Sequence, residues 1–134
     1  MAKVIGIGGV LFRSADRERL YGWYERYLGI RRDPAKGVTF PWRRADEPGR
    51  AEQTAWSLFK EDTKYFGPTN PAFMVNYIVE DLDGFLDALR AEGQAVDDRV
   101  EDTEYGHFGW VADPDGNRLE LWEPPRQPPV APIG

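Results

Sequence analysis

The sequence predicts an α+β fold in which two βαβββ modules lie side by side within one chain of 134 residues. Three observations carry that prediction. A turn signal, Asp113-Pro114-Asp115-Gly116-Asn117, separates two short runs of strand-forming residues near the C-terminus. Two amphipathic helical stripes each begin at an aspartate and end at a glycine. The two capping acids, Asp16 and Asp81, stand 65 positions apart, and the terminating glycines keep nearly the same offset, so the pattern reads as an internal duplication.

Residues 4–12 are rich in Val, Ile and Gly and read as a strand, with Ile5, Ile7, Gly9 and Leu11 alternating on one face. Gly6, Gly8 and Gly9 do not complete the G-x-G-x-x-G spacing of a dinucleotide loop, and no helix starts directly after them. Backbone crowding or an open pocket accounts for them better. A helix over 16–28 follows, capped by Ser14 or Asp16 and stopped by Gly29, with Leu20, Trp23, Tyr24, Tyr27 and Leu28 as its buried stripe. Strands over 38–42 and 53–59 flank a polar loop containing Pro48 and Gly49. Residues 60–71 read as a linker, because Gly67, Pro68 and Pro71 break any regular element.

The pattern then restarts with a strand over 73–79. The helix capped by Asp81 presents Leu82, Phe85, Leu86 and Leu89, and Gly93 ends it. Strands over 94–97, 105–112 and 118–123 complete the unit, so each half is expected to run strand, helix, strand, strand, strand. In the last strand Leu119 and Leu121 point one way while Glu120 and Trp122 point the other. The organisation expected is one domain, 1–134, holding a first module 3–59, the linker 60–71, a second module 72–123 and a Pro-rich tail 124–134. Burial is expected for Leu20, Trp23, Leu86 and Leu89. Exposed edge strands predict a homodimer in which module edges meet.

Composition narrows the function classes. A net charge of −6 disfavours nucleic acid, and Arg31, Arg32, Arg43 and Arg44 read as solvated surface rather than as a phosphate-binding patch. No run approaches the roughly 20 apolar residues of a membrane span, and the N-terminal stretch does not read as a secretion signal, so a cytoplasmic location without membrane contact is expected. The absence of Cys removes disulfides, thiolate ligands and a Cys nucleophile together.

The duplicated pattern, the helix ending WYERYLGI, the segment VEDLDGFLDALRAEG and the hairpin DPDGNRLELWE together resemble the vicinal oxygen chelate superfamily. That group includes glyoxalase I, bleomycin resistance proteins and extradiol dioxygenases. The resemblance covers residues 3 to 123. It implies an open cup of mixed sheet with helices outside and a ligand inside. It also implies a place for a metal, since metal-dependent members draw a His or Glu from the first and last strand of each module. Carried onto this chain, those positions are Gly9, Ser57, Met74 and Glu120. Only Glu120 is a plausible ligand, and one carboxylate falls short of the several convergent donors a divalent ion requires. His107 is the single His, so a two-His triad is out of reach. With these residues at the family's ligand positions, a site with neither metal nor cofactor is expected.

If Gly9 and Met74 face the cup, strand alternation adds Leu11, Asn76, Ile78, Ala55, Ser57 and Phe59, a largely apolar wall with a few polar groups. A small organic molecule is the expected partner. Glu120 is the candidate catalytic residue, and Asn76, Ser57, His107, Met74, Gly9, Leu11 and Trp122 are the candidate ligand contacts. Two classes stay open: a metal-independent binder of a small organic molecule, or an enzyme of lyase, isomerase or dioxygenase type that uses Glu120 or a metal.

Overall fold

The computed structural model describes residues 3–34 and 37–125. Seven strands and two helices follow one another as β1 (Val4–Ser14), α1 (Arg17–Leu28), β2 (Val38–Arg43), β3 (Ala51–Lys60), β4 (Phe73–Val79), α2 (Leu82–Ala91), β5 (Ala95–Thr103), β6 (Gly106–Ala112) and β7 (Arg118–Glu123). The strands form one open, mixed sheet in the order β2-β3-β1-β4-β7-β6-β5. β1 pairs parallel with β3, and β4 with β7, while the remaining neighbours are antiparallel. The two halves meet where β1 and β4 run antiparallel, with Val10 opposite Val75 near the middle of the joint.

The second half holds four strands, and the first holds three among the described residues. Between α1 and β2, where a further strand would fall, the described residues hold an isolated bridge between Asp33 and Gly37 and no strand. Pro34 lacks a backbone N–H and Gly37 takes φ 69°, neither of which suits a strand. The expected tail, apart from Pro124 and Pro125, lies outside the described residues.

Local chemistry explains the helix ends. The Asp16 carboxylate accepts from the Arg19 N–H at 3.1 Å, and Gly29 closes α1 in the left-handed conformation, φ 69°. At α2 the Asp81 carboxylate accepts from the Gly84 N–H, and Glu123 of β7 accepts from the Leu82 N–H at 2.7 Å, which ties the helix start to the sheet. Leu82 and Leu86 then bury completely against Val79, Val111 and Leu121. Each such side chain contributes about 1.5–3 kcal/mol. The close seating of α2 needs Gly109, since a Cβ there would stand 2.9 Å from Leu86 Cδ1.

Both helices lie on one face of the sheet, as strand alternation shows. Phe12, Val10 and Trp56 look toward α1, and their lateral neighbours on β4 share that face with Tyr77, which packs with α2. The two helices dock differently. α1 contains no buried residue. Tyr24 sits edge-on to Trp56 with ring centroids 4.7 Å apart, and Tyr21 accepts from the Leu58 N–H, so these tyrosines turn toward the sheet. Trp23 is consequently rotated outward and 49% exposed, and Leu20 is half-buried. Burial of Leu20 and Trp23 is thus corrected: α1 carries four aromatic residues, and the sheet takes Tyr21 and Tyr24, which both pack edge-on against Trp56. Leu86 is buried as expected, and Leu89 is half-buried.

Arg44 is a second correction. It is 3% exposed, held by Glu80 at 2.6 Å and Asp46 at 2.8 Å. These carboxylates raise its pKa further above the ordinary arginine value, the Asp46 hydrogen bond most of all. The turn between β2 and β3 is thereby tied to the end of β4.

Candidate functional site

The face opposite the helices carries the site. Leu11 of β1 stands beside Met74 of β4 and Ser57 of β3, and Gly9 stands beside Asn76 and Ala55. Asn76 neighbours Glu120 of β7, which neighbours Trp110 of β6. Laterally paired residues share a face, so the sheet brings Gly9, Leu11, Ser57, Met74, Asn76 and Glu120 together. Trp122 lies on the same face, stacked on Phe108 with ring centroids 5.8 Å apart, and its indole N–H donates to the Tyr105 carbonyl at 2.7 Å. The glycines of β1 reflect crowding: a Cβ at Gly8 would come within 2.3 Å of Asn76 Oδ1.

His107 is not part of this face. It alternates with Phe108, pairs laterally with Asp102 and Glu123, and places Nδ1 3.1 Å from the Asp102 carboxylate at the β5 side of the sheet. Its candidacy as a cup contact is therefore corrected by strand parity.

The concave face is filled by the chain itself. The segment 61–72 crosses it and inserts Tyr65 and Phe66, the latter completely buried with Leu11, Met74 and Trp110. Its backbone closes small turns, Gly67 N–H to Lys64 O and Asn70 N–H to Gly67 O. Arg13 fastens both ends: its guanidinium donates to the carbonyls of Glu61 (2.9 Å), Asn70 (3.1 Å) and Pro71 (2.8 Å). Reading 60–71 as a linker missed this. The available signal was two adjacent aromatic residues inside an otherwise polar stretch, KEDTKYFGPTN.

Glu120, 2% exposed, is the chemical centre. Asn76 Nδ2 donates to Oε1 at 2.6 Å, Trp110 Nε1 donates to Oε2 at 3.0 Å, and the Tyr65 hydroxyl donates to the same Oε2. Burial raises the Glu120 carboxyl's pKa, and these donors counteract part of that rise. The Tyr65 hydroxyl is also pushed up, by burial first and then by the neighbouring carboxylate. Asn76 Oδ1 is buried without a hydrogen-bond partner, a spare acceptor beside the carboxylate. Trp110 is thus both part of the core and a polar contact of the carboxylate.

Gly9, Ser57 and Met74, the other positions where the resemblance places metal ligands, lie on the same sheet face as Glu120. The residues present do not fit a divalent ion. The Glu120 oxygens already accept from three N–H and O–H donors, which occupy the lone pairs a cation would need. Among the described residues no group of three or more His, Cys, Asp or Glu is arranged to hold a metal. No helix among them is long and apolar enough to cross a membrane.

Comparison with known proteins follows this geometry. The family model described as Glyoxalase/Bleomycin resistance protein/Dioxygenase superfamily matches residues 6–121. No curated protein matches the sequence. Among solved structures, methylmalonyl-CoA epimerase from Mycobacterium tuberculosis is similar at 21% identity and a TM-score of 0.61, over 92% of this chain and 90% of that one. The methylmalonyl-CoA epimerase of Streptomyces coelicolor, in complex with 2-nitronate-propionyl-CoA, is similar at 15% identity and a TM-score of 0.65, over 91% and 99%. A chain described as NAD-dependent benzaldehyde dehydrogenase from Legionella pneumophila gives 12% identity and 0.54, over 87% and 98%. At these identities the likeness is one of fold.

Proposed function

The chain belongs to the glyoxalase/bleomycin resistance protein/dioxygenase superfamily, and from that premise we propose that it binds a small organic molecule on the concave face without a metal, using the Glu120 carboxylate as its polar anchor. The observation that carries the reading is the convergence of three neutral donors, from β4, β6 and the crossing segment, on one buried carboxylate. A carboxylate held this way recognises O–H or N–H groups, and Asn76 Oδ1 offers a second acceptor beside it. The apolar surroundings, Leu11, Met74, Phe59 and Trp110, suit a ligand that is mostly hydrocarbon.

One observation favours a second reading, in which Glu120 moves a proton in an isomerase- or lyase-type reaction. Burial holds its carboxyl above the ordinary range, so the carboxylate, once released from its donors, is a better base than an exposed glutamate. Two of the structural neighbours are epimerases by name.

Thermal melting tests the proposal. Millimolar Ni²⁺, Zn²⁺ or Mn²⁺ is expected to leave the melting temperature unchanged. A fitting organic compound at one hundred times its Kd is expected to stabilise the fold by about 2.7 kcal/mol, and Glu120→Ala to abolish that effect. One equivalent of metal by elemental analysis, lost in Glu120→Ala, would overturn the metal-free reading.

A further inference from the structure

We propose that Tyr65 is a built-in competitor for the Glu120 site and that the external ligand it excludes is a phenol. The inference rests on the binding reading above and names the chemical class that reading leaves open. The Tyr65 ring lies parallel to Phe59, with centroids 5.5 Å apart at 20°, and meets Trp110 edge-on at 6.1 Å and 89°. Its hydroxyl donates to Glu120. One flat apolar ring and one O–H donor therefore match the contacts Tyr65 makes in this niche, and Asn76 Oδ1 is left as the unpaired acceptor beside them.

Tyr65 also sits on the part of the molecule best able to give it up. The segment 61–72 contributes no strand to the sheet. Within it Phe66 is completely buried, whereas Tyr65 keeps partial exposure. Phe66 thus holds the segment in place while the neighbouring ring exchanges with an incoming one, about the turn that Gly67 closes onto Lys64 with φ 102°. An external phenol restores the contacts Tyr65 gives up: stacking on Phe59, the edge of Trp110 and the hydrogen bond to Glu120. Because the site is accessible only in the fraction of molecules with Tyr65 out, apparent affinity falls by that fraction. Weakening the internal ligand must strengthen binding of the external one.

The test is a titration of p-cresol, with toluene as the analogue lacking the hydroxyl, followed by indole fluorescence and by calorimetry. Wild type is expected to bind p-cresol weakly and toluene more weakly still. Tyr65→Phe keeps the ring but removes the hydrogen bond to the carboxylate, and is expected to tighten p-cresol about tenfold. Tyr65→Ala is expected to bind more tightly again, and Glu120→Gln to remove the preference for p-cresol over toluene. Binding by Tyr65→Ala alone, with none by wild type or Tyr65→Phe at 10 mM, on the order of the weakest exchange the competition allows, would overturn the proposal and make Tyr65 a fixed core residue. Should other organic compounds bind in a Glu120-dependent manner while p-cresol binds no variant, the phenol inference falls and the binding reading stands. If no organic compound binds any variant, both fall.

Discussion

Glu120 is a buried carboxylate whose neighbours are donors rather than cations, and its substitution separates geometry from charge. Glu120→Gln preserves shape but turns an N–H toward groups that themselves donate, leaving a buried donor unsatisfied. A loss of about 2 kcal/mol in urea unfolding is expected. The pH dependence has a defined sign. Since burial raises the folded pKa above the ordinary glutamate value of 4.5, the native state retains a proton that the unfolded chain releases above that value. Glu120's contribution is therefore complete below 4.5 and declines as pH rises through the raised folded value. Urea midpoints taken from pH 4.5 to 7 are expected to show the gap between wild type and Glu120→Gln narrowing as pH rises; a widening gap contradicts the burial argument. Arg13, the residue that fastens the crossing segment, gives a further expectation. Arg13→Ala removes three bonds to carbonyls, some of them at the surface, and should cost about 1–2 kcal/mol in the same measurement.

Among the elements, the β6–β7 hairpin shows what sequence can specify. Asp113 accepts from the backbone N–H groups of Asp115 (3.0 Å) and Asn117 (2.9 Å) and from the Asn117 side chain (2.9 Å), and Gly116 takes φ 84°. Every one of these interactions is local, so residue identity alone implied it. The Asn117 side chain first, with backbone N–H groups, holds the Asp113 carboxyl below the ordinary aspartate value of 3.8. Its stabilisation is present above that value and lost as pH falls through the folded one. Asp113→Ala is expected to lower the melting temperature at neutral pH and to lose part of the wild type's acid sensitivity, which melting curves between pH 2 and 7 (a range on the order of the whole carboxylate titration) would register. Both helix N-caps were legible for the same reason, and the strand 73–79 from its run of β-branched and aromatic residues. What sequence left hidden depends on contacts between distant residues. The turn of α1 about its axis is decided by Trp56 and Leu58 across the gap, not by its own stripe. The side on which His107 falls depends on where β6 enters the sheet. Tyr65 and Phe66 sit in an aperiodic stretch, where no repeat marks which side chains turn inward.

At the scale of the whole molecule, the open sheet ends in two edges poorly suited to pairing. β2 carries Pro41, which offers no N–H, and β5 carries Asp97, Asp98, Glu101 and Asp102, which repel a second copy of themselves. The homodimer proposed for this chain is therefore expected to cover the exposed aromatics of α1, Trp23 and Tyr27, instead of joining edges. Light scattering should give twice 15.3 kDa for wild type and 15.3 kDa for Trp23→Glu; a wild-type value of one chain mass ends the dimer proposal. Within one chain, the two halves are not independent. The core on the concave face takes Leu11 from the first half, Met74 and Trp110 from the second and Phe66 from the segment between them. The β1–β4 joint supplies ladder bonds that neither half makes alone, and Arg44 of the first half is neutralised in part by Glu80 of the second. Cutting between the modules would expose a sheet edge and half of a core at once. We therefore expect residues 1–134 to unfold in a single cooperative step, with fluorescence and circular dichroism midpoints coinciding. Residues 72–134 expressed alone should lack a cooperative transition, despite retaining all of α2 and its packing against Val111 and Leu121. A sigmoidal urea transition in that fragment would mean that the second half folds by itself and that the joint between β1 and β4 links finished units.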